Sequence, residues 1–192
     1  MADLILKRIE DRPGKGRVAF LTVNNPDKRN ALGMAGKRAI AATFNKLAQD
    51  PTLRAAVITG AGERSFIAGA DIHEMKDLTP EEAEVEHTLT HTANSAIRNF
   101  PVPVIARING YCLGFGMELA AACDLRVGVD SAKFGMPEVR VGIPSGMEAV
   151  LLPKLIGWGK AAELVYTGDI IDAQEAYRIG FLQRLEIGRA HV

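Results

Sequence analysis

Two glutamates stand where a carboxylate is hard to explain as surface decoration. Glu118 lies in Asn109-Gly110-Tyr111-Cys112-Leu113-Gly114-Phe115-Gly116-Met117-Glu118-Leu119-Ala120-Ala121-Ala122-Cys123-Asp124, where it is the only charged side chain between Asn109 and Asp124. The pattern is a strand, a glycine-rich turn and then a helix, whose first N–H groups suit an anion or a developing oxyanion. A carboxylate in so apolar a helix is costly to bury without a partner. The plain alternative is a first-turn glutamate that complements the helix dipole. Glu118 follows Phe115 by three residues, so the two share a helix face. Glu138, in Phe134-Gly135-Met136-Pro137-Glu138-Val139, reads either as a helix start after proline or as the second member of an acid/base pair. A third element is Ser65-Phe66-Ile67-Ala68-Gly69-Ala70-Asp71-Ile72. Its small residues crowd a turn where a backbone N–H can approach a ligand, or where Asp71 simply caps a helix.

Other chemistries fail on their residues. Gly60-Ala61-Gly62 follows a strand, but Ser65 takes the place of the third glycine of a dinucleotide fingerprint. His73-Glu74 begins like a zinc-binding HExxH, and Asp77 stands where the second histidine should be. No metal site is expected. His73, His87, His91 and His191 lie in polar surroundings and read as solvated. Cys112 and Cys123 read as reduced, buried small hydrophobes, since they lie in apolar stretches without ligand spacing.

The elements that must hold these residues alternate. Leu4–Ile9 and Arg17–Val23 read as strands about the turn Pro13-Gly14-Lys15-Gly16. Gly33–Gln49 has helical spacing, stopped by Asp50-Pro51. Arg54–Thr59 is strand-like, His73 to about Arg98 is a polar helical stretch with a weak apolar face, and Val102–Ile108 and Leu125–Val129 are strands. From Ser145 onward the pattern is helical. Strands alternating with helices make an α/β domain. Lys+Arg and Asp+Glu balance at 23 each, which removes the global attraction on which nucleic-acid or anionic-membrane binding rests. The helix carrying Lys37, Arg38 and Lys46 is only modestly basic. No apolar run approaches the length needed to span a bilayer, and the N-terminus lacks a signal-peptide core. The expectation is a cytoplasmic protein with no nucleic-acid or membrane partner.

Taken together, these segments resemble the crotonase (enoyl-CoA hydratase/isomerase) superfamily from about Val18 to Leu185. The resemblance also includes Lys28-Arg29-Asn30-Ala31-Leu32, Arg54-Ala55-Ala56-Val57-Ile58-Thr59-Gly60, Pro101-Val102-Pro103-Val104-Ile105-Ala106 and Thr167-Gly168-Asp169. It implies an α/β spiral of repeated ββα turns and an enoyl-CoA hydratase. The acyl-CoA thioester would be held between the N–H groups of Ala70 and Phe115, with Glu118 and Glu138 as the catalytic carboxylates. Lys28, Arg29, Ala31, Ala68, Asp71 and Ile72 would meet the coenzyme A moiety, which is part of the substrate; no separate cofactor is implied. The partner implied beyond substrate is a second copy of the chain, in a homotrimer or dimer of trimers that needs the family's C-terminal region.

Two departures stand out. Phe115 occupies a position that is usually glycine in the family, although any residue but proline keeps the N–H donor. Ile143-Pro144-Ser145-Gly146-Met147-Glu148-Ala149-Val150 replaces a glycine-rich run and adds Glu148 as an unassigned carboxylate. Residues 1–185 read as the spiral core and 186–192 as an altered, non-native tail, the family's C-terminal helical region being absent. The competing activities are a crotonase-type isomerase, decarboxylase or hydrolase, and a catalytically weak binding module of the same fold.

Overall fold

Alternation at period two builds the first sheet. In the computed structural model, which describes residues 3–188, β1 (Ile5–Arg12) and β2 (Gly16–Val23) form an antiparallel hairpin. Ala19, Leu21 and Val23 of β2 are buried while the residues between them are only partly covered. Three strand pairs follow: β3 (Leu53–Gly60) with β4 (Ser65–Ile67), β5 (Val104–Ile108) with β6 (Tyr111–Leu113), and β7 (Leu125–Val129) with β8 (Lys133–Gly135). The first members extend one sheet in parallel, β3 on β2, β5 on β3 and β7 on β5, and the second members pair in parallel in order β4, β6, β8 in the smaller sheet. β9 (Ile170–Asp172) closes the smaller sheet antiparallel to β8, and β10 (Arg184–Glu186) closes the larger one parallel to β7. Strand order in each sheet follows chain order, so the chain winds as the spiral of ββα turns expected.

Helices seal the coil. α1 (Met34–Leu47) buries Ile40, Ala41, Phe44 and Leu47. The single polar helix expected over 73–98 is two, α2 (Ile72–Met75) and α3 (Pro80–Arg98). Thr79 restarts the helix: its hydroxyl accepts from the Glu82 N–H while the Glu82 carboxylate accepts from the Thr79 N–H, with proline at the first helical position. α4 (Phe115–Ala122) is buried on every side, as a helix apolar at every position but Glu118 must be. A Cβ on Gly116 would come within 2.0 Å of the Ile67 carbonyl oxygen, so glycine is what lets β4 lie directly on α4. The C-terminal third adds α5 (Leu152–Ile156), α6 (Trp158–Thr167) and α7 (Ala173–Arg178).

Arg126 holds the far end of α4. It is 2% exposed, and its Nη1 donates to the Ala120 and Cys123 carbonyl oxygens while Nε donates to that of Phe181. The Cys123 carbonyl lies at the helix end, where no intrahelical donor reaches it, and that of Ala120 also accepts from the Cys123 N–H. Arg126→Met removes three donors at once and is expected to lower unfolding free energy by about 3 kcal/mol, measurable by urea denaturation.

Cys112 and Cys123 are buried free thiols. Among the described residues no helix is long and apolar enough to cross a membrane. The altered tail is expected over residues 186–192. Glu186 still pairs with Val129 in β10, and residues 189–192, with His191, lie outside those described.

Candidate active site

The end of β4 is strapped to the loop before α1, and that strap decides which N–H groups remain free. Arg29 and Asn30 are left-handed, at φ 54° and 59°. The buried Asn30 side chain donates to the Ala61 and Ser65 carbonyls and accepts from the Asn25 N–H. Alongside, the Ala68 N–H donates to Arg29 O, Leu32 N–H to Gly69 O, and Asp71 N–H to Leu32 O. The parallel bridge between Leu32 and Ala70 thus uses the groups on either side of Ala70, whose own N–H faces the other way. Phe115 is the first residue of α4, so its N–H has no acceptor inside the helix. Ala70 and Phe115 line one cavity of about 230 Å³, and Glu118 and Glu138 line it with them.

Both carboxylates hold protons more tightly than usual. Glu118 is 3% exposed, and burial pushes its pKa up to about 7, reinforced by the Glu138 and Glu148 carboxylates. Lys37 and the Ala149 N–H pull the other way. Glu118 Oε1 has no hydrogen-bond partner among the described residues. Glu138 sits half-buried in a 3-10 turn over Pro137–Val141. Burial raises its pKa against the Ser145 hydroxyl, which donates to Oε2 at 3.3 Å. Its Oε1 lies against Gly114, at whose φ of 51° a side chain is strained and whose added Cβ would come 2.7 Å from that oxygen.

The remaining residues singled out from sequence divide. Ala68 and Ile72 line the same cavity. Asp71 and Lys28 form an ion pair at 2.6 Å, which lowers the Asp71 pKa and raises that of Lys28. Arg29 places its guanidinium 5.9 Å from the Tyr111 ring centre, and the Ala31 carbonyl accepts from Asn25 Nδ2. These last four do not line the cavity. Glu148, unassigned in sequence, is 2% exposed and held by His91 Nδ1 at 2.9 Å and Asn94 Nδ2 at 3.1 Å.

Lys37, counted with Arg38 and Lys46 in a modestly basic helix, is 1% exposed and lines the cavity with Glu86 and Thr90. His87 and His91 are solvated as expected, with side chains 43% and 53% exposed. His87 also borders the cavity, and His91 is anchored to Glu148. Among the described residues no group of His, Cys, Asp and Glu could hold a metal ion.

The cavity lined by Ala70, Phe115, Glu118 and Glu138 is set in a spiral of ββα turns shared with known proteins. The profile of the Enoyl-CoA hydratase/isomerase family matches residues 14–186, and the chain belongs to that family. It is 41% identical over 170 residues to a crotonyl-CoA hydratase of Syntrophomonas wolfei, covering 88% of this chain and 65% of that protein. It is 38% identical over 172 residues to a short-chain-enoyl-CoA hydratase of Clostridium acetobutylicum, covering 89% and 66%. Among solved structures, an enoyl-CoA hydratase of Mycobacterium smegmatis superposes with TM-score 0.90 at 33% identity, covering 96% of this chain and 70% of that one. The chain therefore spans about two thirds of the length of these relatives.

Proposed function

We propose that this chain carries the catalytic core of an enoyl-CoA hydratase. The observation that carries the reading is one cavity lined by Ala70, Phe115 and two glutamates of raised proton affinity. The Ala70 and Phe115 N–H groups receive the thioester oxygen and lower the cost of negative charge there. Glu118, with its unpartnered Oε1, takes a proton from water as the oxygen adds to Cβ. The electrons move through Cα to the thioester oxygen, and Glu138 returns a proton to Cα as the enolate collapses. The two carboxylates are coupled, so the pair rather than either residue sets the titration. Lys28, Arg29, Ala31, Ala68, Asp71 and Ile72 bind the coenzyme A portion, which arrives with the substrate and leaves with the product, so no further cofactor is needed. The relatives' names support short enoyl-CoA substrates. We place the protein in the cytoplasm, as a homotrimer or dimer of trimers, without nucleic-acid or membrane partners.

Loss of enoyl absorbance with crotonyl-CoA tests the activity directly. Hydration is the expected result. A shift of a 3-enoyl double bond without net hydration would replace this reading with an isomerase. Gly114→Ala gives a local check, because it pushes on Glu138 and strains the residue before Phe115. Its kcat/KM should fall by about 100-fold or more, with secondary structure by circular dichroism unchanged.

A further inference from the structure

The cavity holds an ion pair that hydration does not use. Lys37 on α1 donates through Nζ to Glu86 Oε1 and to Thr90 Oγ1, both on α3, the latter at 2.7 Å. Nζ also lies 4.9 Å from the centre of the Phe115 ring. All four residues line the cavity, so the ammonium forms part of the wall close to the side chain of an oxyanion donor. A pair of apolar side chains would fill that wall with less desolvation.

The hydrogen-bond inventory indicates what such a wall receives. A lysine ammonium has three donors; Glu86 and Thr90 take two, and the third has no acceptor among the described residues. The Thr90 hydroxyl gives its own proton to the Glu86 carbonyl oxygen. On the cavity wall, which both residues line, the cluster offers the third ammonium donor and the Glu86 carboxylate, whose Oε2 has His87 Nδ1 4.0 Å away. A hydroxyl satisfies both from a single oxygen. A substrate carboxylate would meet a lysine already neutralised by Glu86, with Glu118 in the same cavity. An alkyl tail would leave the third donor without a partner.

We propose that the substrate is a coenzyme A thioester whose short acyl group carries a hydroxyl beyond Cβ, received by Lys37 and Glu86. This rests on the acyl-CoA reading of the cavity, and the test has two arms. In the first, calorimetry on the full chain compares 4-hydroxybutyryl- and 5-hydroxypentanoyl-CoA with their methyl isosteres pentanoyl- and hexanoyl-CoA. At least one hydroxyacyl thioester should bind about 10- to 100-fold more tightly than its isostere, and glutaryl-CoA should bind no more tightly than either hydroxyacyl thioester. Lys37→Met/Glu86→Leu, which removes both charges together, should reduce the preference to about twofold or less. The proposal is overturned by wild-type binding without a hydroxyl preference, by tighter binding of glutaryl-CoA, or by a preference that persists in the folded double variant. The wild-type comparison alone can overturn it, so the test does not depend on the variant folding. In the second arm, hydration of 4-hydroxybut-2-enoyl-CoA is compared with that of pent-2-enoyl-CoA. If neither is hydrated while the binding preference stands, the hydratase reading falls and the hydroxyacyl site remains.

Discussion

Glu118→Gln should nearly abolish hydration and, at alkaline pH, make the protein more stable. The kinetic loss follows from removing a base in contact with the reacting water, and a fall in kcat/KM of about 1000-fold is expected. The stability gain follows from linkage. Burial holds the Glu118 pKa at about 7 rather than the ordinary 4.5, so between those values the folded state binds more protons than the unfolded state. Stability contributed by the neutral carboxyl is then fully present below the unfolded pKa and is lost as pH rises through the folded one. Glutamine stays neutral and escapes that loss. Wild type and variant should therefore be similarly stable near pH 4, with the variant ahead by roughly 2–3 kcal/mol at pH 8. Denaturant unfolding across this range checks it. A variant less stable than wild type at pH 8 would mean that the carboxylate is a structural strut. The wild-type rate carries the matching signature: kcat/KM should drop about tenfold per pH unit as the base protonates below about 7.

Much of this was legible in the chain because the informative residues lie in elements whose pattern is unambiguous. Glu118 and Phe115 are three apart in a helix with no other charge, and the structure sets both on one cavity. β2 and β5 alternate with a period of two. Strands β4, β6, β8, β9 and β10 have three residues each, too few to display a period, and pairing with neighbours is what makes them strands. Glu138 looked like a helix start and occupies a 3-10 turn. Its position in the cavity comes from the winding of β8 beside β6, which no local pattern encodes. Lys37 and Glu86 were missed for a different reason: a signal was present. Lys37 is spaced with Ile40, Ala41 and Phe44 on the apolar stripe of α1, and Glu86 with Thr90, Ala93 and Ile97 on that of α3. A charge of opposite sign on each of two apolar stripes is a reason to expect a buried pair.

That pair supplies the second large effect. Lys37→Met alone should destabilise the protein by about 3–5 kcal/mol, because it leaves Glu86 as an uncompensated charge with its side chain 6% exposed. Lys37→Met/Glu86→Leu should recover most of that loss, since an apolar pair of similar volume needs no desolvation. If the double variant is as unstable as the single one, the damage comes from repacking rather than from an orphaned carboxylate. The pH profile then separates a strut from a group that acts on the chemistry. Lys37 is the cation that pulls the Glu118 pKa down, while burial holds the Lys37 ammonium itself at about 8. Its removal alone should move the acid limb of kcat/KM to higher pH in Lys37→Met, assayed where that variant is folded. A residue that only braces α1 against α3 would change the unfolding midpoint and leave that limb where it was, whereas the cavity position of Lys37 requires both to move.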